Sequence, residues 1–430
     1  MGKIIALLIL GSTCLTALKM PWIGVMAAYV LVLLGPQHIW WWAFEGLRPF
    51  QLVALATIAG FVLAIARHDI GTTFLKTRIN LFLVILLACM TLSYLFGPYV
   101  EYGPGPRHFD PAWLYKLTIN IFLFYFIAVL CINDDRKFRY LSLVMVFSVA
   151  YLIYWINKQY LTGMAWGRIG GPWSPAGGHF TDENFFALLV VMGLPFLYFL
   201  GFYYKNLIIR YGLWLIIPFG WHAVFLTGSR GGLIGLATIL AITVLRSPKK
   251  WIGVLLIPLF IVAYQWQAGD VMRDRAQDIR SVDETTTAQT RFQAWNAGLE
   301  MMKAHPLIGV GLASFGPAFP NYSPYPARVA HNAYIEVGAE NGVLAFIVYI
   351  GIYLTAIMTL WRKKPMQLWM QPGHEKHYLY LMNEALLVSF VGFAVSALAL
   401  SAHYHEGFFY LLILINFIYV KKMQASTESR

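Results

Sequence analysis

Charge is scarce in this sequence. Asp, Glu, Lys and Arg make up 12% of its 430 residues against 59% hydrophobic residues, and the mean hydropathy of +0.61 lies outside the soluble globular range. Cysteine is nearly absent. Cys14, Cys89 and Cys131 all fall inside apolar runs, which excludes a disulfide framework or zinc-ligand spacing and leaves packing as their role. Acidic residues are outnumbered, 20 against 32 basic ones, for a net charge of +12. A chain so poor in polar residues must cross lipid, and each crossing of roughly 30 Å takes about 20 apolar residues whose backbone polar groups pair within their own segment. The expectation is an all-α polytopic membrane protein.

Apolar runs occupy residues 4–34, 50–66, 79–96, 113–132, 138–157, 184–204, 207–226, 231–245, 251–266, 333–361, 378–401 and 407–420, about twelve transmembrane helices in all. Lys19, Met20 and Pro21 interrupt the first run, which is one broken span or two short ones. "MGKIIALLILGSTC" lacks a small-residue cleavage pattern and is read as retained rather than as a signal peptide. The division expected is a bundle over 1–266, a periplasmic helical loop module over 267–332, three spans over 333–420 and a cytoplasmic tail over 421–430.

Lys and Arg are retained on the cytoplasmic side of membrane proteins. Arg67/Lys76/Arg78, Arg136/Lys137/Arg139, Lys205/Arg210, Arg246/Lys249/Lys250, Arg362/Lys363/Lys364/Lys376 and Lys421/Lys422/Arg430 alternate onto one face, joined by Lys3 and Lys19 if residues 4–34 are a single span. These loops account for most of the positive excess, so no nucleic-acid partner is expected. The other face receives "PQHIWWWAFEGLRPF", with tryptophans suited to a headgroup belt, then the Gly-rich "GMAWGRIGGPWSPAGGHFTDEN", the turn "TGSRGG" and the long segment 267–332. Within that segment Phe292, Trp295, Leu299 and Met302 recur at helical spacing, predicting an amphipathic helix over the membrane surface. The Gly-, Pro- and aromatic-rich "LIGVGLASFGPAFPNYSPYPAR" follows as an ordered lid or groove wall, its aromatics suited to a sugar face or to loop anchoring.

"SRGG" opening a span, "RFQAW" with "HPLIGVG", and "AHNAYIEVGAENG" entering the next span resemble the O-antigen ligase/polymerase superfamily of bacterial envelope glycan assembly. The motifs cover about residues 227–345, and the chain is most similar to O-antigen ligases and O-glycosylation ligases. The resemblance implies transfer of a glycan from undecaprenyl pyrophosphate to an acceptor hydroxyl, on the periplasmic side of the bacterial inner membrane.

Such chemistry needs an anion site at headgroup depth and a base. Arg230 heads the span 231–245, where free backbone N–H groups and the positive end of the helix dipole favour an anion, and Gly228, Gly231 and Gly232 allow close approach. Its guanidinium can grip phosphate in bidentate fashion; an interfacial anchor is the other role open to it. The resemblance adds Arg291 as a second cation on the diphosphate and His331 as the base for the acceptor hydroxyl. Imidazole suits that task because its ordinary pKa is about 6.5. Attack opposite the pyrophosphate implies inversion. Asn332 is placed to cap the helix starting at Ala333. Arg168, His179, Asn184 and Arg328 are further candidates for donor contacts, and Asp182 is a candidate contact or a helix cap. Glu336 and Glu340 share a helical face below His331, where one orients the ring or both pair internally; Glu384 is given no role. No Asp-X-Asp motif faces outward and Asp134–Asp135 lies on the opposite side, so no metal and no cofactor are expected.

The partners implied are undecaprenyl pyrophosphate-linked glycan, membrane lipids and an acceptor. Ligation to lipid A-core oligosaccharide in lipopolysaccharide biosynthesis is the leading reading. An O-antigen polymerase or a protein O-oligosaccharyltransferase would use the same donor. A glycolipid transporter would require internal repeats and polar groups at mid-membrane depth, and the sequence shows no repeat.

Overall fold

The computed structural model describes residues 2–100, 110–164, 167–175, 177, 180–267, 288–362 and 366–428. Among the described residues the long elements are all helices: α1 (Gly2–Lys19), α2 (Pro21–Leu33), α3 (Pro49–Ala66), α4 (Arg78–Phe96), α5 (Pro111–Cys131), α6 (Asp135–Leu161), α7 (Glu183–Tyr203), α8 (Leu207–Thr227), α9 (Arg230–Arg246), α10 (Lys250–Gln267), α11 (Ala288–Ala304), α12 (Ala333–Trp361), α13 (His377–Ser396) and α14 (Glu406–Glu428). Among the described residues extended pairing is confined to one bridge between Ser174 and Gly177. Eleven of these helices are long and apolar enough to cross a membrane. The chain is therefore an all-α, multi-pass membrane protein. At 13 and 17 residues, α2 and α9 are shorter.

The expected span count changes at the start of the chain, where residues 4–34 form two helices. Proline at the first position of α2 cannot donate the hydrogen bond that would continue α1. The two run antiparallel: the Lys19 carbonyl accepts from Arg67 Nη2 at 3.4 Å, while Gly2 lies beside Ala43 and Trp42 beyond the far end of α2. Lys19 thus joins the basic face and Lys3 leaves it.

At the centre stands α7. Every residue from Phe186 to Gly201 is buried, as expected of a helix apolar on all sides, with α8, α9 and α13 packed around it. Gly193 permits close contact with α6, since a Cβ there would come within 2.4 Å of Val149 Cγ2. Elsewhere α12 lies along α4, and α11 packs on α12 outside the apolar bundle.

The face of α11 that packs on the protein is largely distinct from the apolar stripe expected to lie over the membrane surface. Ala294, Ala297, Met301 and Met302 are buried, whereas Phe292 and Leu299 are exposed. Small residues win because they let the helix approach Ile335 of α12 and Phe315; a Cβ at Gly298 would lie 2.5 Å from Ile335 Cγ2. The larger side chains are left pointing outward.

Glu384, which had no role in the sequence, is fully buried in α13 and bridged by Arg246 at the end of α9, with Nε to Oε2 at 2.6 Å and Nη2 to Oε1 at 2.9 Å. Trp361 covers the guanidinium at 5.1 Å. Removing one member strands a buried charge, which typically costs about 3–5 kcal/mol. Arg246→Ala and Glu384→Ala should each lower the unfolding midpoint in detergent markedly, and Arg246→Met/Glu384→Leu should recover most of the loss. A double variant no better than either single one would refute this account of the pair.

Candidate active site

The site is organised by an interruption in α12. Gly342 has φ 88° and ψ 172°, a conformation reserved for glycine, and a Cβ there would come within 2.5 Å of the Leu307 carbonyl. The break frees backbone groups that must find other partners. Val343 N–H donates to the Pro306 carbonyl at 2.8 Å. Val310 N–H and Gly311 N–H donate to the carbonyls of Ala339 and Glu340 at 2.9 and 3.1 Å. Ser93 of α4 donates to the same Glu340 carbonyl at 2.6 Å. The Glu340 carboxylate accepts from Phe315 N–H at 3.1 Å, and Tyr99 N–H donates to the Val310 carbonyl at 3.1 Å. "HPLIGVG" is thus a strand-like strap stitched across the broken helix. Gly309, with φ 70°, lies so close to Glu340 that a Cβ would sit 2.3 Å from its carbonyl. Glu340 braces the strap rather than the histidine.

The strap and α11 hold the segment that delivers His331. Trp295 Nε1 donates to the Ala330 carbonyl at 3.0 Å. His331 itself takes φ 46°, in the left-handed region, turning the chain into α12. Asn332 caps that helix as expected, its buried side-chain oxygen accepting from Tyr334 N–H at 3.1 Å and Ile335 N–H at 3.2 Å. The His331 ring remains reachable by solvent, yet its pKa is lowered, first by loss of hydration and then by the field of Arg291, with Asp182 opposing. Neutral imidazole is therefore favoured.

Arg291 is in turn held below the usual guanidinium range by burial and by Arg230. Arg230, Arg291, His331 and Asp182 thus form one connected electrostatic group, drawn from α9, α11 and the entrances to α12 and α7. The turn before Arg230 is built by Gly228 at φ 60° and by Ser229, whose hydroxyl accepts from Gly232 N–H at 3.1 Å and donates to Asn184 Oδ1 at 2.9 Å. Asn184 Oδ1 also accepts from Arg168 Nη2 at 3.3 Å, while Arg168 Nε donates to the Thr227 carbonyl at 2.8 Å and the guanidinium pairs with Glu183 at 3.5 Å. Asp182 caps α7 through Asn184 and Phe185 N–H groups at 2.8 and 3.1 Å. Three helix N-termini, those of α7, α9 and α12, therefore open onto one region, an arrangement that attracts anions.

Arg168 and Asn184 are brought to the Arg230 turn, where their polar atoms bond to the protein and to each other. Arg328 is half-buried three residues before His331 and makes no ion pair or side-chain hydrogen bond among the described residues. His179 lies outside the described residues, as do Arg273, Arg275 and Arg280. Sequence reasoning missed Glu340, Gly342 and Trp295 as supports. The Asn-Gly step inside an apolar run was the available signal for the helix break.

A multi-pass membrane protein whose polar groups gather at convergent helix N-termini on one side of the bundle is equipped to handle an anionic, lipid-anchored molecule. Residues 213–350 match the family model described as O-antigen ligase, a match that supports membership of the O-antigen ligase superfamily. The match runs from α8 through the break in α12 and includes Arg230, Arg291 and His331. No curated protein matches the chain. The family's general activity is that of a glycan-joining enzyme of the ligase or polymerase type, working on lipid-linked glycan in the membrane.

If the strap depends on the two glycines, Gly342→Ala and Gly309→Ala should each destabilise the protein by about 1–3 kcal/mol or more. Gly71→Ala, at a glycine with open space around it, should change little. Thermal unfolding of the three variants in one detergent tests this, and equal midpoints would contradict it.

Proposed function

We propose that the protein is an O-antigen ligase that transfers polysaccharide from undecaprenyl pyrophosphate to lipid A-core oligosaccharide, at a site facing the periplasm of the bacterial inner membrane. The observation carrying this reading is the electrostatic group itself: two arginines and a partly desolvated, solvent-reachable histidine at the meeting of three helix N-termini. Arg230 and Arg291 bind the donor's pyrophosphate and balance the charge that grows on it as the glycosyl bond breaks, a role divalent cations fill elsewhere. His331 takes the proton of the acceptor hydroxyl. That oxygen forms the new bond to the anomeric carbon from the face opposite the leaving group, so configuration inverts and undecaprenyl pyrophosphate departs. No metal or cofactor enters this scheme. Arg168 and Asn184 position the Arg230 turn, Asn332 fixes the histidine's backbone, and Arg328 is a donor contact.

The acceptor distinguishes ligase from polymerase or protein O-oligosaccharyltransferase. Purified protein given lipid-linked glycan and a choice of lipid A-core, a second lipid-linked unit or a protein acceptor should load lipid A-core. Exclusive product on either alternative acceptor overturns the ligase assignment. His331→Ala should lower kcat at least about 100-fold while donor binding persists, and Arg230→Ala/Arg291→Ala should lose donor binding.

The neutral ring is the base, so the rate should rise with pH through a midpoint below about 6.5. Asp182 favours the protonated ring, hence Asp182→Asn, which keeps the helix cap, should move that midpoint lower still. A midpoint unchanged or raised in kcat against pH would detach Asp182 from His331.

A further inference from the structure

On the opposite, basic face a cavity of about 350 Å³ opens between the start of α4, the end of α12 and the end of α14. Among the described residues its wall contains three basic side chains, Arg78, Arg362 and Lys422, and no acidic one. Four cations elsewhere on this face are each paired with a carboxylate: Arg67 with Asp69, Lys137 with Asp134, Arg246 with Glu384 and Lys421 with Asp135. The side chains of Arg78 and Arg362 are exposed and make no ion pair or hydrogen bond among the described residues.

Lys422 differs from both. It is buried, and its ammonium donates to the carbonyls of Thr359, Leu360 and Arg362 at 2.7, 3.4 and 2.8 Å. Those are the terminal carbonyls of α12, the negative end of its dipole. With that end cancelled by Lys422, the two arginines present an uncompensated positive concavity. Arg78 is also the first residue of α4, so that helix adds its positive end.

The rest of the cavity is not built for a small hydrophilic anion. Met358, Met423 and Tyr419 line it, and Met358 and Met423 are half exposed. One turn further into the bundle, Leu354 on α12 and Leu81 on α4 are exposed on the same flank. Cations at the rim with exposed apolar side chains running inward match a phosphate headgroup followed by acyl chains.

We propose that this cavity binds an anionic phospholipid of the leaflet on the basic face, its phosphate held by Arg78 and Arg362 and one acyl chain laid along Leu81, Met358 and Leu354. The bound lipid joins α4 to α12, the helix that carries the candidate base at its other end.

Native mass spectrometry of the full-length protein, delipidated in detergent, tests this against phosphatidylglycerol, phosphatidylcholine and inorganic phosphate. Phosphatidylglycerol should be retained at one molecule per chain and at least tenfold more strongly than phosphatidylcholine, a comparison that needs no variant. Arg78→Gln/Arg362→Gln should lower that retention at least tenfold. Lys205→Gln/Lys249→Gln, which removes the same charge from the same face, should leave it unchanged. Equal retention of the two lipids, or equal loss in both double variants, would overturn the site. Displacement of phosphatidylglycerol by equimolar inorganic phosphate would make it a small-anion site and overturn the lipid assignment.

Discussion

A backbone carbonyl cannot go unpaired in the interior of this protein, and the break in α12 turns that constraint into architecture. Once Gly342 leaves the helical conformation, Ala339 and Glu340 need donors and Val343 needs an acceptor. The strap from Pro306 to Gly311 supplies all of them and is thereby fixed in register against α12 and α4. Everything outside the bundle that matters to the chemistry hangs from that strap. Through Phe315 and α11 it sets the position of Arg291 and Trp295, and Trp295 holds the carbonyl just before His331. The proposed base and one of the proposed clamp residues are therefore positioned by the same broken helix.

The second proposed clamp arginine arrives from another direction. Arg230 begins a helix whose entry turn is tied to α7 through Ser229, Asn184 and Arg168. Because α7 is buried along its length, that tie links Arg230 to the most rigid element of the fold. The two halves of the site thus have different supports, α7 for one and the strap on α12 for the other.

Much of this was legible in the sequence. Long apolar runs can only be helices in lipid, so most spans appeared within a few residues of their observed bounds, Asn332 read correctly as a cap, and capping was one of the two roles open to Asp182, because such side-chain chemistry is local. The first run was ambiguous because Lys19 and Pro21 fit either a broken helix or a hairpin, and only contact with Arg67 at one end and Trp42 at the other decides it. The apolar stripe of α11 is a related case, because Phe292 and Leu299 stay exposed while the helix packs on the protein mainly through smaller residues. Hydrophobic spacing finds the side chains that avoid water, whereas the packed face was chosen by how closely two backbones can approach, which favours Ala and Gly. Glu384 had no visible role because its partner lies 138 residues away. That Arg168 and Asn184 bond to each other was not legible, since nothing in the sequence reveals that they face each other.

The ion pair between Arg246 and Glu384 has a reach beyond its own surroundings. Arg246 ends the helix that Arg230 begins, and 16 residues of α-helix span about 24 Å. Pinning one end to α13 sets how far the other protrudes, like the stop on a plunger. In a bilayer thicker than this helix the outer guanidinium would sit beneath the phosphate plane, and in a thinner one above it. Lipid chain length thereby becomes a variable of the affinity for the proposed donor, transmitted through a rod anchored on the far surface.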